Sequence, residues 1–171
     1  DEIAPIVSEV TPAAILTNDT TPDVIISTDE EGTLSVAGSC GTSSSSTLST
    51  SGLFAITLTQ PDNTTHLDAG TYNDCTISVT DAVGNTGTPQ TLTAFEVDTT
   101  APILTSVSVS SDNANINLAK LLDNITVNIQ ASKDLAAAPT VRIGGYLATV
   151  TANSLTNYTA TLTVSGATPE G

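Results

Sequence analysis

Three features of the 171-residue sequence predict an all-β chain organised as tandem β-sandwiches. Short runs of β-branched and other apolar residues alternate with Ser and Thr, as half-buried strands require. Clusters of Asn, Asp, Gly and Pro separate these runs and supply turn chemistry. The pattern D-x-x-A-P-I at 1–6 returns at 98–103, an offset of 97 residues that suits one sandwich domain.

Taken in order, the strands predicted in the first half are Ile6–Val10, Val24–Thr28, Thr33–Cys40, Leu53–Thr59, Thr71–Thr80 and Thr91–Val97. Leu34, Val36 and Cys40 fall on one face of their strand, and Cys75, Ile77 and Val79 on one face of another. Asn18–Pro22, Asp29–Gly32 and Asp81–Asn85 read as turns. Ala13–Leu16, after Pro12, fits either a short strand or a helical turn, and the Ser/Thr run Gly41–Ser51 reads as a mobile surface loop.

The second half repeats the style, with strands predicted at Leu104–Ser110, Ile125–Ala131, Thr140–Ile143, Ala148–Thr151 and Tyr158–Val164. Val107/Val109, Ile125/Val127/Ile129 and Ala160/Leu162/Val164 give period-two apolar faces. The residues 168–171 read as a turn with no strand after it, so the second sandwich is expected to lack its last strands. The expected division is a first domain at 1–98, a linker at 99–102 and a C-terminally incomplete second domain at 103–171. Pro5 and Pro102 suit stiff joints ahead of edge strands, because Pro cannot donate to a sheet and holds its predecessor extended.

Charge divides at the same place. The formal net charge is -15, with 14 of the 18 acids in residues 1–98 and all three basic residues, Lys120, Lys133 and Arg142, beyond them. Three basic residues cannot neutralise a nucleic-acid backbone, so nucleic acid is excluded as a partner. An anionic membrane surface would repel the chain, and no apolar run is long enough to insert in a bilayer. With 39% apolar residues the sequence is too hydrophobic for a disordered chain.

The first domain resembles the bacterial immunoglobulin-like repeats of large cell-surface adhesins and biofilm-associated proteins. The resemblance rests on T-N-D-T-T-P at 17–22, S-T-D-E-E-G-T at 27–33, G-T-Y-N-D-C-T-I-S-V-T-D-A-V-G-N at 70–85 and D-T-T-A-P at 98–102. The second half is similar to a related repeat class through S-S-D-N-A-N at 110–115, L-A-K at 118–120, I-T-V-N-I-Q-A-S-K at 125–133 and T-P-E-G at 168–171. It implies an extended, extracellular, multi-domain surface protein whose modules act as spacers or adhesive repeats without enzymatic activity. The partners expected are neighbouring immunoglobulin-like domains of the same chain or identical subunits. Two alternatives stand beside it: a filament subunit joined to its neighbours by β-strand donation, and a carbohydrate-binding module.

Four groups of residues bear on chemistry. Cys40 and Cys75, the only cysteines, lie on apolar strand faces in a Ser/Thr-rich chain. A disulfide between them fits an oxidising, extracellular setting and would stabilise the fold by roughly 3–4 kcal/mol. The alternative is a pair of reduced buried thiols. His66 lies in the Pro61–Ala69 loop near Asp62 and Asp68 and reads as an exposed loop histidine, since no nucleophile motif accompanies it.

Acids in turns offer the hard oxygen donors that calcium takes. By the family resemblance the best candidates are Asp81 and Asn85 in their D-x-x-G-N turn and Asp98 at the joint, with Asp19 and Asp29 weaker. The competing reading is that these residues only close Asx turns and that their charge serves solubility. Among the aromatics, Tyr146 after Gly144-Gly145 is the one placed for sugar stacking, or for covering its sheet as a hairpin residue. Sequons begin at Asn18, Asn63, Asn124 and Asn157, as expected by chance in so Thr-rich a chain. A Lys–Asn isopeptide bond is available only to Lys120 or Lys133.

Overall fold

The structure, a computed structural model, describes residues 2–166. Asp1 and the expected turn at 168–171 fall outside the described residues. The chain divides into two compact units, Asp1–Thr100 and Ala101–Gly171, and the cut falls within the 99–102 stretch. Among the described residues every regular element is a strand.

The first unit holds β1 (Val7–Thr11), β2 (Leu16–Thr17), β3 (Asp23–Thr28), β4 (Gly32–Ala37), β5 (Gly41–Thr42) and β6 (Thr47–Leu48). These are followed by β7 (Gly52–Thr59), β8 (Gly70–Tyr72), β9 (Thr76–Thr80), β10 (Gln90–Thr91) and β11 (Phe95–Val97). They form two four-stranded sheets, β1-β3-β7-β5 and β10-β9-β4-β6, and a three-stranded sheet β2-β11-β8. Every pairing is antiparallel except β2 with β11. One core joins the sheets. Val24, Ile26, Ile56 and Leu58 enter it from the first sheet, Leu34, Leu48, Ile77 and Val79 from the second, and Phe95 and Val97 from the third. Alternation produces this: in β3 Val24 and Ile26 are buried while Ile25 is not, and in β9 Ile77 and Val79 flank Ser78.

Four expectations need correction here. The Gly41–Ser51 run carries β5 and β6, so it is no free loop: β5 pairs with β7 in one sheet and β6 with β4 in the other. Hydroxyls and one apolar side chain anchor it: Thr42 Oγ1 donates to the Thr57 carbonyl at 2.8 Å, Ser44 Oγ accepts the Thr57 N–H at 2.9 Å, and Leu48 is buried in the core. The 33–40 strand ends at Ala37 because Gly38 turns at φ +86°. The 71–80 strand is two strands in different sheets, β8 and β9, broken at Asn73-Asp74-Cys75. The 91–97 strand likewise divides into β10 and β11 in different sheets. The undecided Ala13–Leu16 segment ends in β2, a short strand beside β11, and Ala13 is buried.

The second unit holds β12 (Leu104–Ser111), β13 (Asn124–Ala131), β14 (Arg142–Ile143), β15 (Tyr146–Leu147), β16 (Thr149–Ala152) and β17 (Asn157–Thr163). Four make an antiparallel sheet ordered β12-β13-β17-β16, and β14-β15 is a separate hairpin turned by Gly144 and Gly145, both at positive φ. The register puts Val107 opposite Ile129 and Val109 opposite Val127, then Ile129 opposite Tyr158 and Val127 opposite Ala160. One face is therefore apolar and the other carries Ser, Thr, Asn and Gln. Ile129, Ala131, Tyr158 and Ala160 are buried, whereas Leu104, Val107 and Val109 along β12 stay more than half exposed.

Candidate functional site

The cysteines provide the most distinctive site. Cys40 and Cys75 form a disulfide with their Cα atoms 5.3 Å apart, and both are buried in the core of the first unit. A polar clamp sits beside the bond. Asp74 Oδ1 accepts the Ser39 N–H at 3.1 Å and Oδ2 accepts the Ser39 hydroxyl at 3.0 Å. These bonds hold the Asp74 carboxyl below the usual carboxylate range. Gly38 completes the clamp: a Cβ there would collide with the Asp74 carbonyl, and its positive φ suits glycine alone.

Asp81 and Asn85 are brought together. Asp81 Oδ1 accepts the N–H groups of Val83 at 3.0 Å and Asn85 at 2.8 Å, and Oδ2 accepts the Asn85 side-chain amide at 2.8 Å. Burial pushes the Asp81 carboxyl up, but the bonds from Asn85, Gly84 and Val83 together leave it below its ordinary value. Asp19 and Asp98 meet at Thr17 through their main chains: the Thr17 hydroxyl accepts the Asp19 N–H and its carbonyl accepts the Asp98 N–H. Their carboxylates face their own turns, Asp19 accepting from Thr21 and Asp98 from Thr100. Asp29 lies apart, its Oδ1 accepting the Ile6 N–H at 2.7 Å and tying the entry of β1 to the end of β3.

Among the described residues no three His, Cys, Asp or Glu side chains converge. The oxygens expected to take calcium are thus distributed over separate turns, each already holding N–H donors. Of the five candidates, only Asp81 and Asn85 share a turn.

The remaining polar residues behave as loop chemistry. Exposed His66 contacts the Thr20 hydroxyl through Nδ1 at 3.2 Å. Asp62 caps its own turn by accepting from the Thr65 hydroxyl and N–H and from the Thr64 N–H, which holds its carboxyl at about 2. Tyr146 is exposed, whereas Tyr72 stacks on Phe95 with ring centres 5.2 Å apart and Tyr158 is buried with its hydroxyl on the Leu155 carbonyl. A cleft of about 370 Å³ beside β4 is lined chiefly by Ser35, Thr42, Ser43, Ser44, Ser46 and Asn63, with no aromatic ring for a sugar to stack on.

Sequence reading missed two features of this site. Asp74 was absorbed into a strand, and the pairing of Ser39 with Asp74 was invisible, although each residue directly precedes a cysteine. Among the described residues no helix is long and apolar enough to cross a membrane. No family model matches this chain, and neither a curated protein nor a solved structure does.

Proposed function

We propose that the chain is a non-enzymatic structural and adhesive module, built of tandem immunoglobulin-like sandwiches, from an extracellular multi-domain surface protein or fibre. The observation that carries this reading is the disulfide at the centre of the first unit's core. A buried cross-link between the segment after β4 and the segment before β9 suits a domain that must stay folded outside the reducing cytoplasm. Supporting it, the acids and hydroxyls around that core are engaged in closing turns and joining strands. Antibody raised against the purified chain should label intact cells of the source organism, and the chain recovered from them should carry Cys40 and Cys75 oxidised. Labelling only after permeabilisation, with both thiols free, would overturn the proposal.

A further inference from the structure

Sheet edges in the first unit are all guarded. The edge strands β2, β5, β6 and β10 are two residues each and β8 is three, and β1 carries Glu9 and an irregular register between Glu9 and Thr11. Such short, charged or irregular edges discourage pairing with another chain. In the second unit β12 is different. It is eight residues long, has no charged residue and no Pro, and among the described residues no strand pairs with its outer edge.

The free edge also has a defined hydrogen-bonding phase. The Asp112 N–H donates inward to Asn124 of β13, whereas the Ser111 N–H donates outward to Ile116. By the two-residue period, Val109 and Val107 direct their N–H and C=O groups outward. We infer that a second copy of this chain pairs with β12 antiparallel, edge to edge, about a twofold axis at Ser108. Val107 then lies opposite Val109 of the other copy and Ser108 opposite Ser108. Four main-chain hydrogen bonds form, two for each Val107–Val109 pair, which is the hydrogen-bonded pairing that outward-facing residues make. Val107 and Val109 of both copies fall on one face and Ser106, Ser108 and Ser110 on the other, because residues two positions apart share a face. The ladder stops at Ser111, whose N–H is already taken, and across the axis Ser111 meets Thr105, where the β12–β13 register breaks.

Charge selects the occupant. Residues 1–98 carry 14 acids and no base, so a second copy approaching there meets like charge. The described part of the second unit balances Asp112, Asp123 and Asp134 against Lys120, Lys133 and Arg142. Among the described residues a copy meets balanced charge there, and of the sheet's two uncharged edges β12 is the long one, eight residues against four in β16. The joined sheets would also bring together the exposed strip of Leu104, Val107 and Val109 from both copies. An isologous contact closes on itself, so assembly ends at two chains. Strand donation, by contrast, grows without limit.

Sedimentation velocity on the whole chain, from about 10 µM to about 1 mM, tests this. The sedimenting mass should rise to that of two chains and stop. Ser108→Lys places like charges opposite each other across the axis and should weaken the dimer at least ~10-fold. Ser108→Glu should do the same alone, and an equal mixture of the two variants should restore dimers. Ser108 is solvent-exposed on the polar face, so both variants keep the fold. A monomer at every concentration, growth beyond two chains, or variants that dimerise like the parent would each overturn the proposal.

Discussion

Asp74 grips Ser39 with both carboxylate oxygens, one residue upstream of each half of the Cys40–Cys75 disulfide. The cross-link and the clamp therefore act on the same two segments, the exit of β4 and the approach to β9. Covalent and polar fastening at one place leaves little freedom there, and Gly38 allows the approach by having no side chain to obstruct it.

Gly38→Ala should destabilise the first unit by about 1–3 kcal/mol, because it combines an unfavourable φ with a collision against the Asp74 backbone. Gly84→Ala makes the control: it shares the positive φ but meets nothing within 4 Å, so the difference between the two in urea denaturation isolates the collision. Equal losses would show that the clamp tolerates a methyl group.

Cys40→Ser with Cys75→Ser, or reduction, removes the restraint on a 35-residue interval. The loss should be roughly 3–4 kcal/mol, and the first unit's Tm should fall by at least ~10 °C. Calorimetry of oxidised and reduced protein measures it, and a shift of a degree or two would mean the core holds without the bond.

Burial separates two apolar positions. Ile56, 1% exposed, should cost about 2–5 kcal/mol as Ile56→Ala, whereas Val107, 56% exposed, should cost under ~0.5 kcal/mol as Val107→Ala. Both are measured on dilute, monomeric chain, where a large loss at Val107 would show that its side chain is covered within the single chain.

Acid should weaken both units. Asp62, Asp74 and Asp81 in the first and Asp123 in the second all titrate below their ordinary value in the fold. For Asp123 the cause is the Asn113 side chain, then the Lys120 N–H. A depressed carboxyl contributes stability that is complete above its unfolded pKa, about 4, and is lost as pH falls through its folded value. Urea midpoints should hold from pH 7 to pH 5 and then drop toward pH 2, the Asp62 turn yielding last at about 2. Midpoints flat to pH 2 would contradict these hydrogen bonds.

Calcium offers a separate check. The turns of Asp19, Asp29, Asp81 and Asp98 close on N–H donors of the chain itself, so millimolar calcium and chelator should give the same Tm within about 1 °C. A rise with calcium would assign the Asp81–Asn85 or Asp98 turn to the cation.

Strands with strict alternation were legible from the residues, as at Val24/Ile26, Ile77/Val79 and Val107/Val109. So were the cysteine pair and the local turns, since an Asp that accepts from N–H groups two to four positions on is a sequence-local device. Long-range polar pairs were not legible. Ser39–Asp74 and Glu9–Thr93 span 35 and 84 positions, and nothing in an isolated Ser or Glu marks its partner. The 41–48 segment stayed hidden for a related reason: its anchoring relies on hydroxyl bonds and one apolar side chain, Leu48, which leave no apolar period to read.

Single-molecule extension of the chain, oxidised and then reduced, tests most directly whether the first unit is a cross-linked structural body. Unfolding the oxidised unit should release a contour length shorter by about 120 Å than the reduced one, the span of the interval between Cys40 and Cys75. It should do so in one discrete step at higher force. No discrete step, or the same length in both states, would contradict the account.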